Sequence, residues 1–365
     1  MSETDAEFLV VGLGVHGSAA VAALARRGKE VVGLDRFTPG HGRGSSHGRT
    51  RMIRRAYPNP VWNDFVSRAF DGWAELEQLT GTTLVHRTGG LYAHAGHEPQ
   101  LQGPDCRVLD SPEELREAMP GFAVPEGYRA VYDPAAGVIE AERALGAFRA
   151  VAAEEGAQLR WGVQVHSWRA ADGGVVVDTD DGVLRARRLV LAGGPWMSAL
   201  VPELAPLLEV WRILTLTAAP GQEAGSPPLL GAFSVDRPEG LVFGIPDADA
   251  NGVKIGVDAG PVWDPEIPVA APTEAEVGEL RRLLAIYVPE LDTEPVETAA
   301  CLYTMTADKR FVVGPLRGAP EVIVASACSG HGFKFAPALG ELLADLATGI
   351  DRPDAEFVST RRRGL

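Results

Sequence analysis

The sequence predicts an α/β protein in which a Rossmann-type nucleotide-binding domain is interleaved with a second domain built on an antiparallel or mixed sheet. Three observations lead to this prediction. The first 35 residues follow a strand, glycine turn, helix and strand pattern. Patterns of buried strand and helix return after residue 140 and near the C-terminus. Short strands separated by prolines occupy the interval from about residue 207 to residue 298.

The N-terminal unit, EFLVVGLGVHGSAAVAALARRGKEVVGLDR, is the best-defined element. Gly12 permits a tight turn, Gly14 lets the backbone approach a pyrophosphate, and Gly17 lets the following helix pack closely on the strand. The second strand ends at Asp35, which would accept hydrogen bonds from a ribose, and Arg36 is a further expected cofactor contact. The unit therefore predicts a dinucleotide site, although the motif does not distinguish FAD from NAD.

The segment 40–60 is polar, glycine-rich and basic, with five arginines within 43–55. By itself, such a segment is most simply interpreted as an exposed basic loop. Arg51 and Arg54 are three residues apart, so on a helical turn they would share one face. An anion site is the alternative interpretation.

The remaining predicted elements are, in order, an amphipathic helix at 62–80, a strand in TGGLYAHAG, a short helix capped by Ser111, a hairpin around Asp180–Gly182, a buried strand at Leu189–Ala192 and a helix at 273–288. Gly193 follows the buried strand, where backbone could lie against a ligand. The segment EVIVASACSGHGFKFAPALGELLADLATG is again strand, glycine turn and helix.

A chain of 365 residues exceeds the usual size of one domain. We expect the nucleotide-binding domain to consist of residues 1–85, 140–206 and 299–365, and a substrate-binding domain to consist of 86–139 and 207–298. This interleaving suits large flavoproteins better than NAD-dependent dehydrogenases, whose cofactor domain is usually continuous.

The composition excludes several classes of protein. A net charge of −15 argues against a nucleic-acid partner or an anionic membrane, because both require a basic surface. Cys106, Cys301 and Cys328 are widely spaced and suggest neither a disulfide framework nor a metal site. The sequence shows no apolar run of membrane-spanning length and no signal-peptide charge pattern, so we expect a cytoplasmic protein.

Six segments together resemble the monomeric sarcosine oxidase family, which includes N-methyltryptophan oxidase and pipecolate oxidase. In chain order they are the glycine fingerprint, SSHGRTRMIR, LVLAGGPW, GVKIG, CLYTMTADKRFVVG and SGHGFKF. The last two are the most specific, whereas the fingerprint is shared with far more distant flavoproteins. The resemblance implies FAD as the cofactor, a small-molecule amino acid and O2 as the reaction partners, and a monomer.

The resemblance also implies roles for individual residues. Arg54 and Lys334 match the residues that hold the substrate carboxylate, a task suited to a guanidinium plus an ammonium. His47 and Arg51 are placed near the flavin. Lys254 matches the lysine that activates oxygen, where a cation would stabilise developing superoxide; without the resemblance it could equally be an outward strand lysine. The glycine turn of SGHGFKF adds Gly332, together with Lys334, to the expected cofactor contacts.

In this family, the cysteine of a C-x-Y-T-x-T-x-D segment carries FAD through a thioether to the 8α-methyl group of the ring. Cys301 falls on that position. The residues that continue the pattern are Tyr303, Thr304, Thr306 and Asp308. Without this segment, a small buried core cysteine would be the simpler interpretation. The resemblance therefore implies a covalent flavin on Cys301.

Two positions depart from the family pattern. Phe243 stands where sarcosine oxidase has a tyrosine, and Asp258 stands where it has a histidine that contacts the substrate. A carboxylate there would favour a cationic or polar group on the substrate and would repel a plain carboxylate. Sarcosine itself is therefore a poor candidate for the substrate.

The implied reaction is FAD-dependent oxidation of a secondary amine on an N-methyl amino acid or a cyclic imino acid. Hydride transfer to flavin N5 gives an imine, and reoxidation by O2 gives hydrogen peroxide. The cations Arg51, Arg54 and Lys334 would lower the pKa of the amine, and we identify no separate general base.

Four alternatives stay open at this point. They are a flavin amino-acid dehydrogenase with a non-oxygen acceptor, an oxidase of a specialised biosynthetic amine, an NAD-dependent dehydrogenase, and a flavoprotein that binds without turnover. The last is disfavoured because buried cations without an anionic guest are costly.

Overall fold

A computed structural model describes residues 4–96, 101–171, 173–219, 230–248, 252–291, 294–326 and 328–362. The strands are β1 (Ala6–Val11), β2 (Val31–Asp35), β3 (Thr50–Ile53), β4 (Val85–Arg87), β5 (Gly90–His94), β6 (Arg107–Leu109), β7 (Arg129–Asp133), β8 (Gly137–Glu140), β9 (Gln158–Trp161), β10 (Val165–Ala171), β11 (Gly174–Thr179), β12 (Gly182–Leu191), β13 (Glu209–Ala218), β14 (Ala232–Val235), β15 (Val242–Pro246), β16 (Val253–Val257), β17 (Pro295–Met305), β18 (Val312–Leu316) and β19 (Ala319–Ser326). The α-helices are α1 (Val15–Arg26), α2 (Asn63–Thr80), α3 (Pro112–Ala118), α4 (Ala141–Glu154), α5 (Met197–Leu200), α6 (Glu274–Tyr287) and α7 (Ala336–Ala347). Short 3-10 helices lie at Pro60–Trp62, Gly194–Trp196, Pro202–Leu207, Phe333–Phe335 and Pro353–Val358.

The first sheet is built around β1 and contains the N-terminal glycine unit. Its order is β10-β11-β12-β1-β2-β9, and β19 pairs with β12 and β18. β1 is parallel to both β2 and β12. Its unbroken apolar sequence has a simple cause, because alternate side chains enter two different cores. Phe8 and Val10 pack with α1, α4 and α7, whereas Leu9 and Val11 pack on the opposite face. The predicted α/β class is confirmed.

The second sheet has the order β17-β13-β16-β15-β14-β5-β7-β6. Neighbouring strands are antiparallel except for β14 and β5, which are parallel. The expected antiparallel or mixed sheet is therefore a mixed one. Helix α6 covers one face and shares a core with the apolar side chains of β13, β15 and β16. The opposite face is free to form a site. The division of the chain into two domains at the boundaries given above stays a prediction.

A third sheet, with the order β3-β8-β4, was not expected from the sequence. Arg51 lies in β3 and not on a helical turn, so the argument that it shares a helical face with Arg54 was wrong. The sequence analysis missed β3 because this strand has only four residues and does not alternate between buried and exposed positions. Thr50 and Ile53 are buried, and the two residues between them are partly buried.

The predicted helix cap and the predicted hairpin are confirmed. Ser111 caps α3, since its Oγ accepts a hydrogen bond from the backbone N of Glu114 at 3.2 Å. The hairpin at Asp180–Gly182 joins β11 to β12. Among the described residues, no helix combines the length and apolar character needed to cross a membrane. The same part of the chain holds no cluster of three or more side chains suited to a metal ion.

Candidate active site

A cavity of about 810 Å³ is lined by residues of both large sheets. On one side, the carboxyl ends of the parallel strands β1, β2 and β12 open into it, as is usual for ligand sites in open α/β sheets. On the other side lies the face of the second sheet that α6 leaves uncovered. The predicted site residues that line the cavity are Gly12, Gly14, Asp35, Arg36, His47, Arg51, Arg54, Gly193, Phe243, Lys254, Asp258, Cys301, Gly332 and Lys334. Gly17 lies behind this lining.

We call the first side the backbone wall, which consists of Gly12, Gly14, Asp35 and Gly193. Gly12 has a φ of 91°, and a Cβ atom there would overlap the carbonyl oxygen of Ala192, just beyond β12. A Cβ atom on Gly17 would overlap the carbonyl oxygen of Gly12. The glycines therefore bring β1, β12 and the start of α1 together. They leave a surface of bare backbone beside a helix N-terminus, where an anion is favoured.

Asp35 ends β2 and also holds the glycine turn in place. Its Oδ2 accepts a hydrogen bond from the backbone N of Leu13 at 2.7 Å, and its Oδ1 accepts one from that of Phe37 at 2.8 Å. Each carboxylate oxygen keeps a second acceptor direction, which leaves room for the expected ribose contact. Arg36 forms an ion pair with Glu266 at 3.2 Å. It lies at the edge of the cavity.

Arg51 holds the basic segment 40–60 together through hydrogen bonds to its main chain. Its guanidinium donates hydrogen bonds to the carbonyl oxygens of Ser45, His47 and Thr50 at 2.7, 2.6 and 2.8 Å. The segment is therefore folded around a cation on the cavity wall and is not simply an exposed basic loop. Burial and the Arg51 charge lower the pKa of His47 to about 4, so its imidazole is neutral at pH 7. Its Nε2 is buried and lacks a hydrogen-bond partner among the described residues.

We call the second side the side-chain wall, which consists of Phe243, Lys254, Asp258 and Cys301. It follows from the two-residue period of strands. The β16 strand directs Lys254 and, just past its end, Asp258 toward the cavity, whereas Ile255 enters the core with α6. Gly256 leaves room for a neighbouring ring, because a Cβ atom there would lie 3.1 Å from Cε1 of Phe243. Across the sheet, the row in register with Phe243 consists of Tyr92, Ser234, Gly256, Thr215 and Ala299.

Lys254 and Cys301 lie beside Arg51. Lys254 Nζ donates a hydrogen bond to the carbonyl oxygen of Thr50. Burial and the Arg51 charge lower the pKa of Lys254 to about 7. Cys301 is a free thiol whose pKa is raised by burial, an effect that Arg51 and Lys254 oppose. Two cations next to a thiol favour its thiolate and any anion that is brought to this place.

Arg54 and Lys334 are brought together around Tyr57. The Arg54 guanidinium carbon and Lys334 Nζ lie 5.1 and 5.6 Å from the centre of the Tyr57 ring. Lys334 Nζ donates to the Tyr57 hydroxyl at 3.1 Å and to the carbonyl oxygen of His331 at 2.8 Å. Burial and the Arg54 charge hold the pKa of Lys334 well below its usual range. Arg54 Nη1 is buried and has no partner among the described residues.

His331 fixes the direction of the Tyr57 hydroxyl. Its Nε2 lies 2.9 Å from the carbonyl oxygen of Lys309, and its Nδ1 lies 3.1 Å from the Tyr57 hydroxyl. Burial and the Lys334 charge lower the pKa of His331 to about 3, so the ring carries a single proton. Because a carbonyl oxygen can only accept, that proton is on Nε2, and Nδ1 accepts from Tyr57. The lone pairs of the Tyr57 oxygen are thereby left for Lys334.

Asp258 places a carboxylate among these cations. Its Oδ1 is buried and has no hydrogen-bond partner among the described residues. Burial raises the pKa of Asp258. The cations that act in the opposite direction are Lys309, Arg54 and Lys334. The cavity thus contains a buried acceptor atom and a buried donor atom, on Asp258 and Arg54, that the described protein leaves unsatisfied.

Among the cavity residues that sequence reasoning missed are Tyr57, Tyr92, Ser234, Asp236 and His331. Tyr92 forms a hydrogen bond with Asp236 on the cavity wall. A usable signal existed for three of them, because LYAH and FSVD alternate in a way that directs Tyr92, Ser234 and Asp236 to one face. No local pattern could indicate the pair of Tyr57 and His331, which are 274 positions apart.

Comparisons with known proteins agree with the predicted family and fold. The family model described as FAD dependent oxidoreductase matches residues 7–346. Monomeric sarcosine oxidase from a Bacillus species is 30% identical over 382 residues, covering 99% of this chain and 97% of that protein. N-methyl-L-tryptophan oxidase from Yersinia pestis is 32% identical over 370 residues, covering 97% and 98%. The open form of NikD, an unusual amino acid oxidase essential for nikkomycin biosynthesis, shares the fold with a TM-score of 0.84 and 24% identity, covering 100% and 99%. These matches confirm the resemblance found in the sequence.

Proposed function

The chain belongs to the FAD-dependent oxidoreductase family, and on this premise we propose that it is an oxidase of a secondary amine carried by an amino acid. N-methyl amino acids and cyclic imino acids are the substrate classes. When bound, FAD would accept a hydride equivalent from the carbon next to nitrogen and pass the electrons to O2, giving an imine and hydrogen peroxide. Relatives named for sarcosine and N-methyl-L-tryptophan oxidation support this class of donor.

The residues of the cavity fit FAD. Gly12 and Gly17 allow the close main-chain contacts that leave bare backbone at the glycine turn, and α1 begins there. Asp35 offers carboxylate oxygens at the end of β2. His47 Nε2 and Trp196 Nε1 are buried without partners in the described part of the chain, and both side chains line the cavity. A bound polar group would satisfy such atoms.

One observation carries the proposed substrate class: two cations, Arg54 and Lys334, face one cavity, and among the described residues neither forms a hydrogen bond or ion pair with a carboxylate. The hydrogen bonds of Lys334 go to a hydroxyl and a carbonyl oxygen, and Arg54 Nη1 has no partner among the described residues. A buried ammonium beside a guanidinium whose Nη1 is buried without a partner among the described residues favours an anionic guest. A carboxylate can meet the planar guanidinium and the ammonium at once. These residues would therefore bind the carboxylate of the amino acid and set the position of its nitrogen.

The cation pair Arg51 and Lys254 would act in the reaction with oxygen. The part of the cavity near Cys301 has these two positive groups beside it. A fixed cation there would stabilise negative charge that develops on oxygen. In this proposal Lys254 is the residue that makes the enzyme an oxidase, and His47 and Arg51 complete the polar surroundings.

We also propose that Cys301 carries the flavin through a thioether. The thiol faces the cavity from β17, beside cations that favour the thiolate. The segment CLYTMTADKRF matches the family pattern over the positions discussed above. A cytoplasmic monomer completes the proposal. The resemblance supports the monomer, and the sequence pattern supports the compartment.

The test is anaerobic reduction of the flavin by a panel of amino acids, followed as bleaching of its absorbance. The panel holds sarcosine, N-methyl aromatic amino acids, L- and D-pipecolate, L-proline and several primary amino acids. We expect bleaching by a secondary amine that bears a carboxylate, and little by the same amine without it. A flavin that dithionite reduces but that no panel member reduces would overturn the proposal.

A further inference from the structure

Asp258 and Arg54 present opposite hydrogen-bonding needs to one cavity. Asp258 Oδ1 is a buried acceptor and Arg54 Nη1 is a buried donor, and neither has a partner among the described residues. Both side chains line the cavity. The missing partner of Arg54 is anionic, whereas the missing partner of Asp258 carries an N–H or O–H group. An amino acid supplies both of these from groups attached to one carbon atom.

We propose that Asp258 accepts the proton of the substrate ammonium, so that the nitrogen is neutral when its neighbouring C–H bond breaks. The inference rests on the proposed function and deepens it. Asp258 would be a catalytic residue that touches the substrate nitrogen, while Arg54 and Lys334 hold the carboxylate. The sequence analysis identified no separate general base, and this proposal assigns that role to Asp258 on the side-chain wall.

The position of the carboxylate suits this task. A Cβ atom on Gly330 would lie 2.8 Å from Asp258 Oδ1 and 2.6 Å from Cε2 of Tyr303. Oδ1 therefore lies against the glycine turn that leads to Lys334, where a guest held by the two cations would also be found. The charged and titratable groups that interact with Asp258 are Arg54 after β3, Lys309 between β17 and β18, Lys334 beyond β19 and Tyr303 on β17. Other titratable side chains line the same cavity: His331 beyond β19, Asp236 after β14 and Lys254 on β16 itself.

Two other titratable groups of the cavity, Tyr303 and His331, are poor proton acceptors. Burial holds the pKa of Tyr303 well above its usual range, so its hydroxyl keeps its proton. His331 is neutral, but its Nδ1 already accepts from Tyr57 and its pKa is lowered to about 3. Asp258 differs from both, because burial raises its pKa and so makes the carboxylate a better proton acceptor than an exposed one.

The proton transfer conserves charge. A substrate ammonium and the Asp258 carboxylate become a neutral amine and a carboxylic acid, and no oxidant or reductant is involved. Burial penalises the charged form of each group, so enclosing the pair favours the neutral form of both. The nearby cations oppose protonation of Asp258 in the free protein, and the carboxylate of the bound substrate would offset their charge. The proton returns to solvent when the cavity opens to release the product.

Binding of two small ligands tests the contact without turnover. 2-Aminoisobutyrate has no hydrogen on its α-carbon and is not oxidised there, and isobutyrate is the same carboxylate without nitrogen. In Asp258→Asn, we expect affinity for 2-aminoisobutyrate to fall about tenfold or more, the scale of a charge-assisted hydrogen bond. Affinity for isobutyrate should change less than about twofold. Equal losses for both ligands, or no loss for either, would overturn the assignment.

Proton transfer itself is tested by the pH dependence of anaerobic flavin reduction at limiting substrate. Asp258→Asn can use only the substrate that arrives as a free amine, so its deficit should be greatest at low pH. The deficit should shrink about tenfold per pH unit as the pH approaches the pKa of the amine. A deficit that is constant with pH would contradict the proposal.

The matched control is Asp236→Asn, which removes another carboxylate of the same sheet face. It should leave the ratio of the two binding constants and the shape of the pH profile unchanged. Flavin content checks that both variants are folded. Absence of reduction in the wild type with any amine would instead refute the proposed function, and the two ligands would still report on Asp258.

Discussion

The two walls of the cavity are built by different means. The backbone wall consists of glycines and strand ends, and its shape is set by contacts between main-chain atoms. The side-chain wall consists of alternate residues on a mixed sheet, and its chemistry is set by which side chains those are. Main-chain contacts admit almost no change of residue. Side chains on a strand face can be exchanged without moving the sheet, so substitutions there should have graded, chemically specific effects.

Gly17→Ala should have the largest effect, because it attacks the main-chain contact that holds the backbone wall. A Cβ atom at this position would overlap the carbonyl oxygen of Gly12. Overpacking of this kind costs about 1–3 kcal/mol or more. We expect at least a severalfold loss of bound flavin and a clear fall in Tm, measured by flavin absorbance per protein and by thermal unfolding.

Gly146→Ala is the matched control, since Gly146 also lies in a helix, α4, but has no atom within 4 Å of the added Cβ position. This substitution should leave flavin content unchanged and stabilise the fold by up to about 1 kcal/mol. If Gly17→Ala behaved like Gly146→Ala, the backbone wall would not depend on main-chain contact as described.

Lys254→Met tests the side-chain wall through a single charge. We expect reoxidation of the flavin by O2 to slow by about 10²–10³, the scale of one lost electrostatic donor. Anaerobic reduction by the amine should change far less. The Lys254 pKa of about 7 means that its cation is fully present below pH 7 and is lost as the pH rises above it. The advantage of the wild type over the variant should therefore decline above pH 7 in stopped-flow measurements.

The control for this substitution is Lys254→Arg, which keeps a positive charge and should retain much of the oxygen reaction. Equal slowing of both half-reactions in Lys254→Met would remove its proposed role. Slow reoxidation of the wild type itself would favour a dehydrogenase with a different electron acceptor.

The two walls also differ in how well the sequence predicts them. The glycine unit is contiguous, and each of its residues has a backbone role, so Gly12, Gly17 and Asp35 could be placed in the fold without a structure. Lys254 and Asp258 could be assigned to one face by alternation, but alternation does not say what a side chain does. The role of Lys254 came from the resemblance, and that of Asp258 came from its buried oxygen without a partner among the described residues.

Contacts between distant segments were beyond prediction. The pairing of Tyr57 with His331 joins two loops that no local pattern connects, and it decides how Lys334 is held. The third sheet was missed for a related reason, since β3 is short and its pairing with β8 is what makes it a strand. Isolated short strands have little intrinsic preference, and their partners determine them.

Cys301→Ser should have the smallest effect on flavin content. It also shows most clearly which of the two walls retains the cofactor. Without the thiol, the backbone wall should still bind FAD, but without a covalent bond. Acid precipitation of the wild type should give a yellow pellet, whereas the variant should give a colourless pellet and a yellow supernatant. Cys328→Ser, which removes another thiol that lines the cavity, should keep the yellow pellet. A colourless wild-type pellet would refute the thioether. A Cys301→Ser protein that folds but holds no flavin would mean that the side-chain wall, and not the backbone wall, retains the cofactor.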